Sequence, residues 1–139
     1  MNRLEYFKAR LDATMSPMDL HKILAENPGS VCVVDVRNGP ADLLQYKIAG
    51  AKEISQEHIE KRCDELPKDK LIIVYCWETW CTLAAKSAVP LLEKGYDVKE
   101  LFGGLTAWMT LQLPVEPVAG FDDSKSGLIH DSHGGSCCC

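Results

Sequence analysis

Three features that would each identify a class of protein are missing from this 139-residue sequence. No stretch approaches the roughly 18 apolar residues that a membrane-spanning helix requires, and residues 1–12 mix acidic and basic side chains where a secretion signal would be apolar. Positive charge is not in excess either. The chain has 15 Lys and Arg against 20 Asp and Glu, and this net charge of −5 disfavours a general nucleic-acid-binding surface. We therefore expect a cytoplasmic protein that has neither a membrane nor a nucleic acid as its partner.

The seven cysteines are the unusual part of the composition. An odd number at irregular spacing does not resemble a disulfide framework, and the cytosol keeps thiols reduced. These cysteines are therefore better explained by chemistry or by metal binding than by cross-links. They are Cys32, Cys63, Cys76, Cys81 and a run at Cys137, Cys138 and Cys139.

Strand and helix signals alternate along the chain. The apolar runs Val31–Val36 and Leu71–Tyr75 predict buried strands, and weaker strand signals lie at Ala51–Ile54 and Val98–Phe102. Apolar strands that alternate with helices indicate a parallel sheet covered on both faces, which is an α/β fold of the three-layer α/β/α type. Helices are predicted for residues 4–11, 17–26, 41–46, 55–59 and 82–94 and around Trp108, with a kink or an early end at Pro90.

Composition divides the chain into three segments. Residues 1–14 are predicted to form a helical lead and residues 15–117 the α/β domain. Residues 118–139 are polar and small, which predicts a flexible tail.

Cys76 is the first candidate for chemistry. In a parallel sheet the ligand crevice lies beyond the carboxyl ends of the strands, and the run Leu71–Tyr75 delivers Cys76 to that edge. Unpaired backbone N–H groups and the positive end of the following helix lower the pKa of a cysteine there and stabilise its thiolate or persulfide. The alternative is a small apolar residue that simply ends a strand.

An ordered set of short motifs covers residues 15–117. The motifs are Val33-Val34-Asp35-Val36-Arg37, Ile48-Ala49-Gly50-Ala51, Val74-Tyr75-Cys76, Gly95-Tyr96, Leu101-Phe102-Gly103-Gly104 with Ala107-Trp108, and Leu113-Pro114-Val115-Glu116. This set resembles the rhodanese-like, single-domain sulfurtransferase family. The resemblance implies a five-stranded parallel sheet flanked by helices, with Cys76 as the nucleophile that accepts sulfur. Asp35 and Arg37 match a family motif that we interpret as a buried, hydrogen-bonded structural pair.

The predicted active-site loop is Cys76-Trp77-Glu78-Thr79-Trp80-Cys81. It is similar to the Cys-Trp-x-x-x-Cys loop of a subset of bacterial rhodanese-like proteins. Members that use thiosulfate commonly carry an arginine in this loop, whereas Glu78 would repel a dianionic donor by about 1 kcal/mol or more at close range. The related phosphatases of this fold have a loop one residue longer that ends in arginine, so the sequence also argues against a phosphatase.

The sequence leaves two possible roles open for each of the other loop residues. Cys81 either resolves a persulfide on Cys76 by forming a disulfide, or begins the next helix with its sulfur in the core. Trp77 and Trp80 either wall the pocket or dock a protein donor, with at least one of them exposed. Glu78 is either part of the site or a solvated charge.

The remaining cysteines have weaker claims to chemistry. Cys32 and Cys63 are predicted to be structural. His130, His133 and Cys137–Cys139 offer ligands for Zn²⁺ or Cu(I), or an arm that exchanges sulfur with Cys76, or an inert tail. Adjacent cysteines lack the spacer of zinc knuckles, so we predict neither a metal nor another cofactor.

The function expected from these patterns is a sulfurtransferase. Cys76 would take sulfane sulfur from a donor as a persulfide and pass it to a thiol or another nucleophilic acceptor, each either a small molecule or a protein. One rival is a thiol-disulfide redox switch that uses Cys76 and Cys81. The other is a non-catalytic binding module in which the tryptophan-bearing loop docks a partner.

Overall fold

The computed structural model describes residues 1–125 of the chain. In this part the secondary structure alternates between strands and helices along most of the sequence. The helices are α1 (Arg3–Ala13), α2 (Pro17–Glu26), α3 (Ala41–Leu44), α4 (Leu83–Glu93) and α5 (Gly104–Thr110). The strands are β1 (Thr14–Met15), β2 (Val31–Asp35), β3 (Tyr46–Ile48), β4 (Lys52–Glu53), β5 (Leu71–Tyr75), β6 (Asp97–Leu101) and β7 (Val115–Pro117).

Five of the strands form one sheet in the order β1-β6-β5-β2-β4, and every neighbouring pair in it is parallel. The predicted α/β fold with a five-stranded parallel sheet is therefore confirmed. Because the strands are parallel, the carboxyl ends of β2, β5 and β6 lie at the same edge of the sheet.

The central strand β5 shows why the apolar runs in this sequence are continuous. Ile72 and Val74 face one core cluster, while Ile73 and Tyr75 face the other, and all four are buried. Side chains alternate between the two faces of a strand, so a strand covered on both sides needs apolar residues at every position. Residues of α4 pack in the first cluster, and residues of α2 and α5 pack in the second, which makes the three layers.

Three helix predictions differ from the structure. The helix predicted for residues 41–46 ends at Leu44, and Tyr46 begins strand β3. Helix α4 runs through Pro90 to Glu93 instead of ending early, because the carbonyl that loses its hydrogen-bond donor is that of Lys86, whose residue is exposed and open to water. The predicted helix at 55–59 is a single 3₁₀ turn, Gln56–His58. The Ser55 hydroxyl contacts His58 Nδ1 at 2.8 Å and does not cap a backbone N–H.

Short strands join the first and the last segments of the described residues to the domain. The pairing of Thr14 with Glu100 places α1 beside β6, although none of its residues is buried. Strand β7 pairs with β3 in a separate antiparallel ribbon. Beyond it, at the start of the segment predicted as a tail, Val118 is buried and Phe121 packs edge-on against Tyr46, with 5.5 Å between ring centroids.

None of the helices found in residues 1–125 has the length and apolar character needed to cross a membrane.

Candidate active site

Cys76 lies at the carboxyl edge of the sheet, directly after β5, and only 2% of its surface is exposed. The loop that follows it runs to the start of α4 at Leu83. Within the described residues, the backbone N–H groups of residues 77–80 donate to no protein acceptor. The Cys81 N–H, by contrast, donates to the Glu78 carbonyl oxygen at 3.0 Å. The loop thus presents four unpaired donors next to a buried cysteine.

The first turn of α5 anchors this loop. The backbone N–H groups of Leu105 and Thr106 donate to the carbonyl oxygens of Cys76 and Trp77, both at 2.9 Å. Gly104 makes this close approach possible: a Cβ there would lie 2.7 Å from the Cys76 oxygen and 2.8 Å from the Trp77 carbonyl carbon. Its φ of +61° is also a left-handed conformation that L side chains rarely adopt. Close packing against the loop backbone therefore explains why residue 104 is a glycine.

Replacing Gly104 with alanine is expected to destabilise the domain and to displace the loop. Gly50→Ala is the matched control, because Gly50 has a φ of +82° but no atom within 4 Å of the position of a Cβ. Gly50→Ala should cost about 1–2 kcal/mol of unfolding free energy for the left-handed backbone alone. Gly104→Ala should cost about 1–3 kcal/mol more, since the added methyl group overlaps backbone. Urea unfolding measures both, and equal losses would contradict the packing argument.

Cys76 and Cys81 form a disulfide in the structure. Their Cα atoms are 6.3 Å apart, within the range that disulfides span. The loop therefore brings the two sulfurs together, with Cys81 the more exposed of the two residues. In the oxidised form Cys76 cannot act as a nucleophile, so transfer chemistry on Cys76 requires the reduced dithiol.

Asp35 and Arg37 form a buried ion pair at the end of β2. Arg37 Nη2 lies 2.7 Å from Asp35 Oδ2, and its Nε donates to Asp35 Oδ1 at 2.9 Å. The Tyr75 hydroxyl donates to Asp35 Oδ2 at 2.9 Å, and burial, with the Asp35 charge, raises the pKa of Tyr75 above its usual range. The remaining Arg37 donors bind carbonyl oxygens, including that of Tyr46 at 2.7 Å. The pair thus connects β2, β5 and the first residue of β3 next to the loop.

The other loop side chains lie in different surroundings. The Trp77 ring is partly buried over the Arg37 guanidinium, with 4.3 Å between Cζ and the ring centroid. Trp80 is 69% exposed, and its Nε1–H donates to Glu78 Oε2 at 2.9 Å. Thr79 is exposed at the turn. Trp77 therefore packs beneath the loop against Arg37, and Trp80 lies on the outer surface of the loop.

A cavity of about 190 Å³ opens beside the disulfide. Its lining includes Cys76, Cys81 and Glu78 from the loop, and it also includes residues that sequence analysis missed. Burial raises the pKa of one of these, the Glu100 carboxyl at the end of β6. The end of β6 could have been anticipated, because neighbouring parallel strands end at one edge. The lining residues from α1 could not have been predicted, because a strand of only two residues, such as β1, has no recognisable sequence pattern. The missed lining residues are Tyr6, Arg10, Thr14, Ala84, Glu100, Leu101, Phe102, Gly103 and Gly104.

A family model of the rhodanese-like domain matches residues 16–111. The chain belongs to the rhodanese-like family. A sulfurtransferase of Allochromatium vinosum is 33% identical over 86 residues, which make up 61% of this chain and 78% of that protein. An HTH-type transcriptional regulator of Mycobacterium tuberculosis is 34% identical over 89 residues, which are 63% of this chain and 38% of the regulator. The matched segment thus makes up most of the first relative and a minority of the second, longer one.

Solved structures agree with the fold of this rhodanese-like chain. The crystal structure of a full-length protein from Lactobacillus plantarum superposes with a TM-score of 0.80 at 30% identity, covering 84% of this chain and 97% of the other. The family match and the Allochromatium vinosum sulfurtransferase support a sulfurtransferase-type role for the rhodanese-like domain.

Two further cysteines, Cys32 and Cys63, lie away from the rhodanese-like loop. Cys32 and Cys63 are free, partly buried thiols packed against the core cluster that contains α4. Burial raises the pKa of Cys32, against the opposing charges of Lys52 and Lys70. His130, His133 and Cys137–Cys139 lie outside the described residues. Within residues 1–125, no three potential ligands among His, Cys, Asp and Glu are grouped to hold a metal.

Proposed function

We propose that this chain is a sulfurtransferase that carries sulfane sulfur as a persulfide on Cys76. The observation that carries the proposal is the position of Cys76, buried at the carboxyl edge of the sheet, where it starts a loop whose next four residues have backbone N–H groups without a protein acceptor. Backbone donors of this kind stabilise a thiolate and a persulfide anion. Membership of the rhodanese-like family and the sulfurtransferase relative support the same chemistry.

The transfer step uses the reduced loop. The Cys76 thiolate attacks the sulfane sulfur of a donor R–S–SH, a bond forms between Cys76 Sγ and that sulfur, and the bond to R–S breaks. R–S⁻ leaves and is protonated by solvent. The persulfide on Cys76 then passes its outer sulfur to a nucleophilic acceptor. The Cys76 thiolate is regenerated, so no net oxidation of the protein occurs.

The disulfide supports a second outcome for the same persulfide. The Cys81 thiol loses its proton and attacks Cys76 Sγ, the bond to the outer sulfur breaks, and hydrosulfide leaves. The two cysteines are oxidised by two electrons and the sulfane sulfur is reduced to hydrosulfide. The product is the Cys76–Cys81 disulfide found in the structure. A thiol reductant then restores the dithiol.

Peptide mapping by mass spectrometry tests both outcomes on one sample. After reduction, removal of the reductant and brief exposure to a persulfide donor, we expect the Cys76 peptide to gain the mass of one sulfur atom. On longer standing, a peptide cross-linked between Cys76 and Cys81 should replace it, together with released sulfide.

The free cysteines provide the control within the same molecule. Sulfur gained equally at Cys32 and Cys63 would show non-specific reaction with thiols. No sulfur on Cys76 with any donor would contradict the proposal and favour a binding module. A cross-link that forms under mild oxidant without any sulfur adduct would instead identify a thiol-disulfide switch.

A further inference from the structure

Arg10 brings a positive charge to the cavity beside Cys76. The active-site loop itself carries no basic residue. Arg10 belongs to α1, and the pairing of Thr14 with Glu100 holds the end of this helix against β6. Tyr6 and Arg10 are four residues apart on one face of α1, Thr14 follows directly after the helix, and all three line the cavity.

The Arg10 guanidinium contacts an aromatic ring and has no carboxylate partner among the described residues. Its Cζ lies 4.6 Å from the centroid of the Phe102 ring, which also lines the cavity. Among residues 1–125, no carboxylate forms an ion pair with it. A guanidinium that stacks on an aromatic ring keeps its in-plane N–H donors available for an anion.

Glu78 places the opposite charge at the same cavity. One of its oxygens accepts a hydrogen bond from Trp80 Nε1, and the side chain is half-buried rather than fully solvated. The other carboxylate lining the cavity, Glu100, is half-buried, and burial raises its pKa. The lining of the cavity therefore combines the cation of Arg10 and the carboxylate of Glu78 with Cys76.

The size of the cavity limits what can bind. Its volume of about 190 Å³ is smaller than the roughly 300–1,000 Å³ of pockets for drug-sized ligands. A ligand of this size carries few atoms beyond its reacting sulfur, so charges close to that sulfur decide its recognition. Two opposite charges on the protein match a ligand with two opposite charges.

We propose that Arg10 and Glu78 select a small zwitterionic persulfide of the amino-acid type, with its carboxylate on Arg10 and its ammonium group on Glu78. This inference rests on the proposed function, because it names the donor for sulfur transfer to Cys76. Both residues are specificity determinants rather than nucleophiles. A donor with two negative charges gains from Arg10 but is opposed by Glu78, so thiosulfate is a poor substrate.

Four donors separate the contributions of the two charges. Cysteine persulfide carries both charges, N-acetylcysteine persulfide lacks the ammonium, cysteine methyl ester persulfide lacks the carboxylate, and thiosulfate is a dianion. The measurement is the rate of sulfur gain at Cys76 in the reduced full chain, followed by rapid quench and mass spectrometry over a range of donor concentrations. For the unsubstituted protein we expect cysteine persulfide to react about tenfold more efficiently than either persulfide that lacks one charge.

The variants should respond to the charge on the donor. Arg10→Gln should lower the efficiency about tenfold for cysteine and N-acetylcysteine persulfides and leave the methyl ester unchanged. Glu78→Gln should slow cysteine and methyl ester persulfides and speed thiosulfate. Because both side chains bind the donor, the donor concentration for half-maximal rate should change, and the limiting rate should not. Arg3→Gln is the matched control, since Arg3 lies on the same helix and does not line the cavity.

Equal rates for cysteine persulfide and for the two persulfides that each lack one charge would overturn the inference while the sulfur adduct on Cys76 remained. An Arg10→Gln variant that behaves like Arg3→Gln would overturn it as well. If no donor places sulfur on Cys76 in the unsubstituted protein, the proposed function itself fails. The two failures are therefore distinguishable in one data set.

Discussion

Arg37→Ala is expected to lower the free energy of unfolding by about 3–5 kcal/mol, because it leaves the Asp35 carboxylate buried without its counter-charge. Asp35 is 3% exposed and Arg37 2% exposed. The guanidinium also donates to the Tyr46 carbonyl oxygen, so a backbone acceptor loses its partner as well. Trp77 would lose the cation beneath its ring, and the loop would lose part of its support.

Arg62→Ala is the matched control for this prediction. Arg62 pairs with Glu65 through Nε at 2.6 Å and Nη2 at 3.0 Å, which is similar geometry, but both side chains are more than one third exposed. Water solvates an exposed carboxylate that loses its partner, so the loss of stability should be far smaller. Urea unfolding of both variants measures the difference. Similar losses at the two sites would show that burial of the Asp35–Arg37 pair does not determine its effect.

A second comparison separates the charge from the packing. Asp35→Asn removes the negative charge with little change in shape, and it leaves the guanidinium without its counter-charge. The double variant Asp35→Asn/Arg37→Ala should cost less than the sum of the two single variants, because neither charge is then left alone. Strict additivity would mean that the two side chains act independently in this position.

The apolar pattern was sufficient to predict the centre of the sheet. Strands β2 and β5 are covered on both faces, which requires a continuous run of apolar residues that few other structures produce. The position of Cys76 followed, because a residue that directly follows such a strand reaches the carboxyl edge of the sheet. The parallel order of the strands made the end of β6 part of the same region.

The periphery of the site could not be predicted in this way. Strands β1, β3 and β7 have two or three residues each, too few to show alternation, and they depend on partners far away in the sequence. Arg10 reaches the cavity only through the pairing of β1 with β6. Val118 and Phe121 lie in a polar segment, and their packing depends on β3 and β7 being in place.

The relation between Cys76 and Cys81 was open in the sequence for a similar reason. A separation of five residues allows the sulfurs to meet or to point apart, depending on how the loop closes. The anchoring of the loop by Leu105 and Thr106, and the turn closed by the Cys81 N–H, set the distance of 6.3 Å between the Cα atoms. These contacts come from α5 and from the loop backbone, neither of which has a sequence signal specific for a disulfide.

Cys76→Ser is expected to abolish sulfur transfer, with a fall in rate on the order of 10³-fold or more. The reason is that a serine hydroxyl near neutral pH supplies almost no nucleophilic anion. Cys32→Ser makes the same chemical change at a partly buried thiol away from the loop and should leave the rate unchanged. The rate is measured as the release of the thiol R–SH from a persulfide donor in the presence of a thiol acceptor. A Cys76→Ser variant that retains transfer would assign the reaction to another cysteine.

Cys81→Ser should leave sulfur uptake by Cys76 intact and block the later formation of the intraloop disulfide. Sulfur gain at Cys76 depends on the Cys76 thiolate and should persist, whereas intraloop disulfide formation needs the Cys81 sulfur and should stop. Without a thiol acceptor, the unsubstituted protein should release about one sulfide per chain and end as the disulfide, while Cys81→Ser should accumulate the Cys76 persulfide and release almost none. With abundant thiol acceptor the two proteins should turn over at similar rates, because the acceptor then competes with Cys81 for the persulfide. If Cys81→Ser released sulfide without an acceptor as fast as the unsubstituted protein, Cys81 would have no resolving role. The disulfide would then be a product of oxidation alone rather than of sulfur transfer.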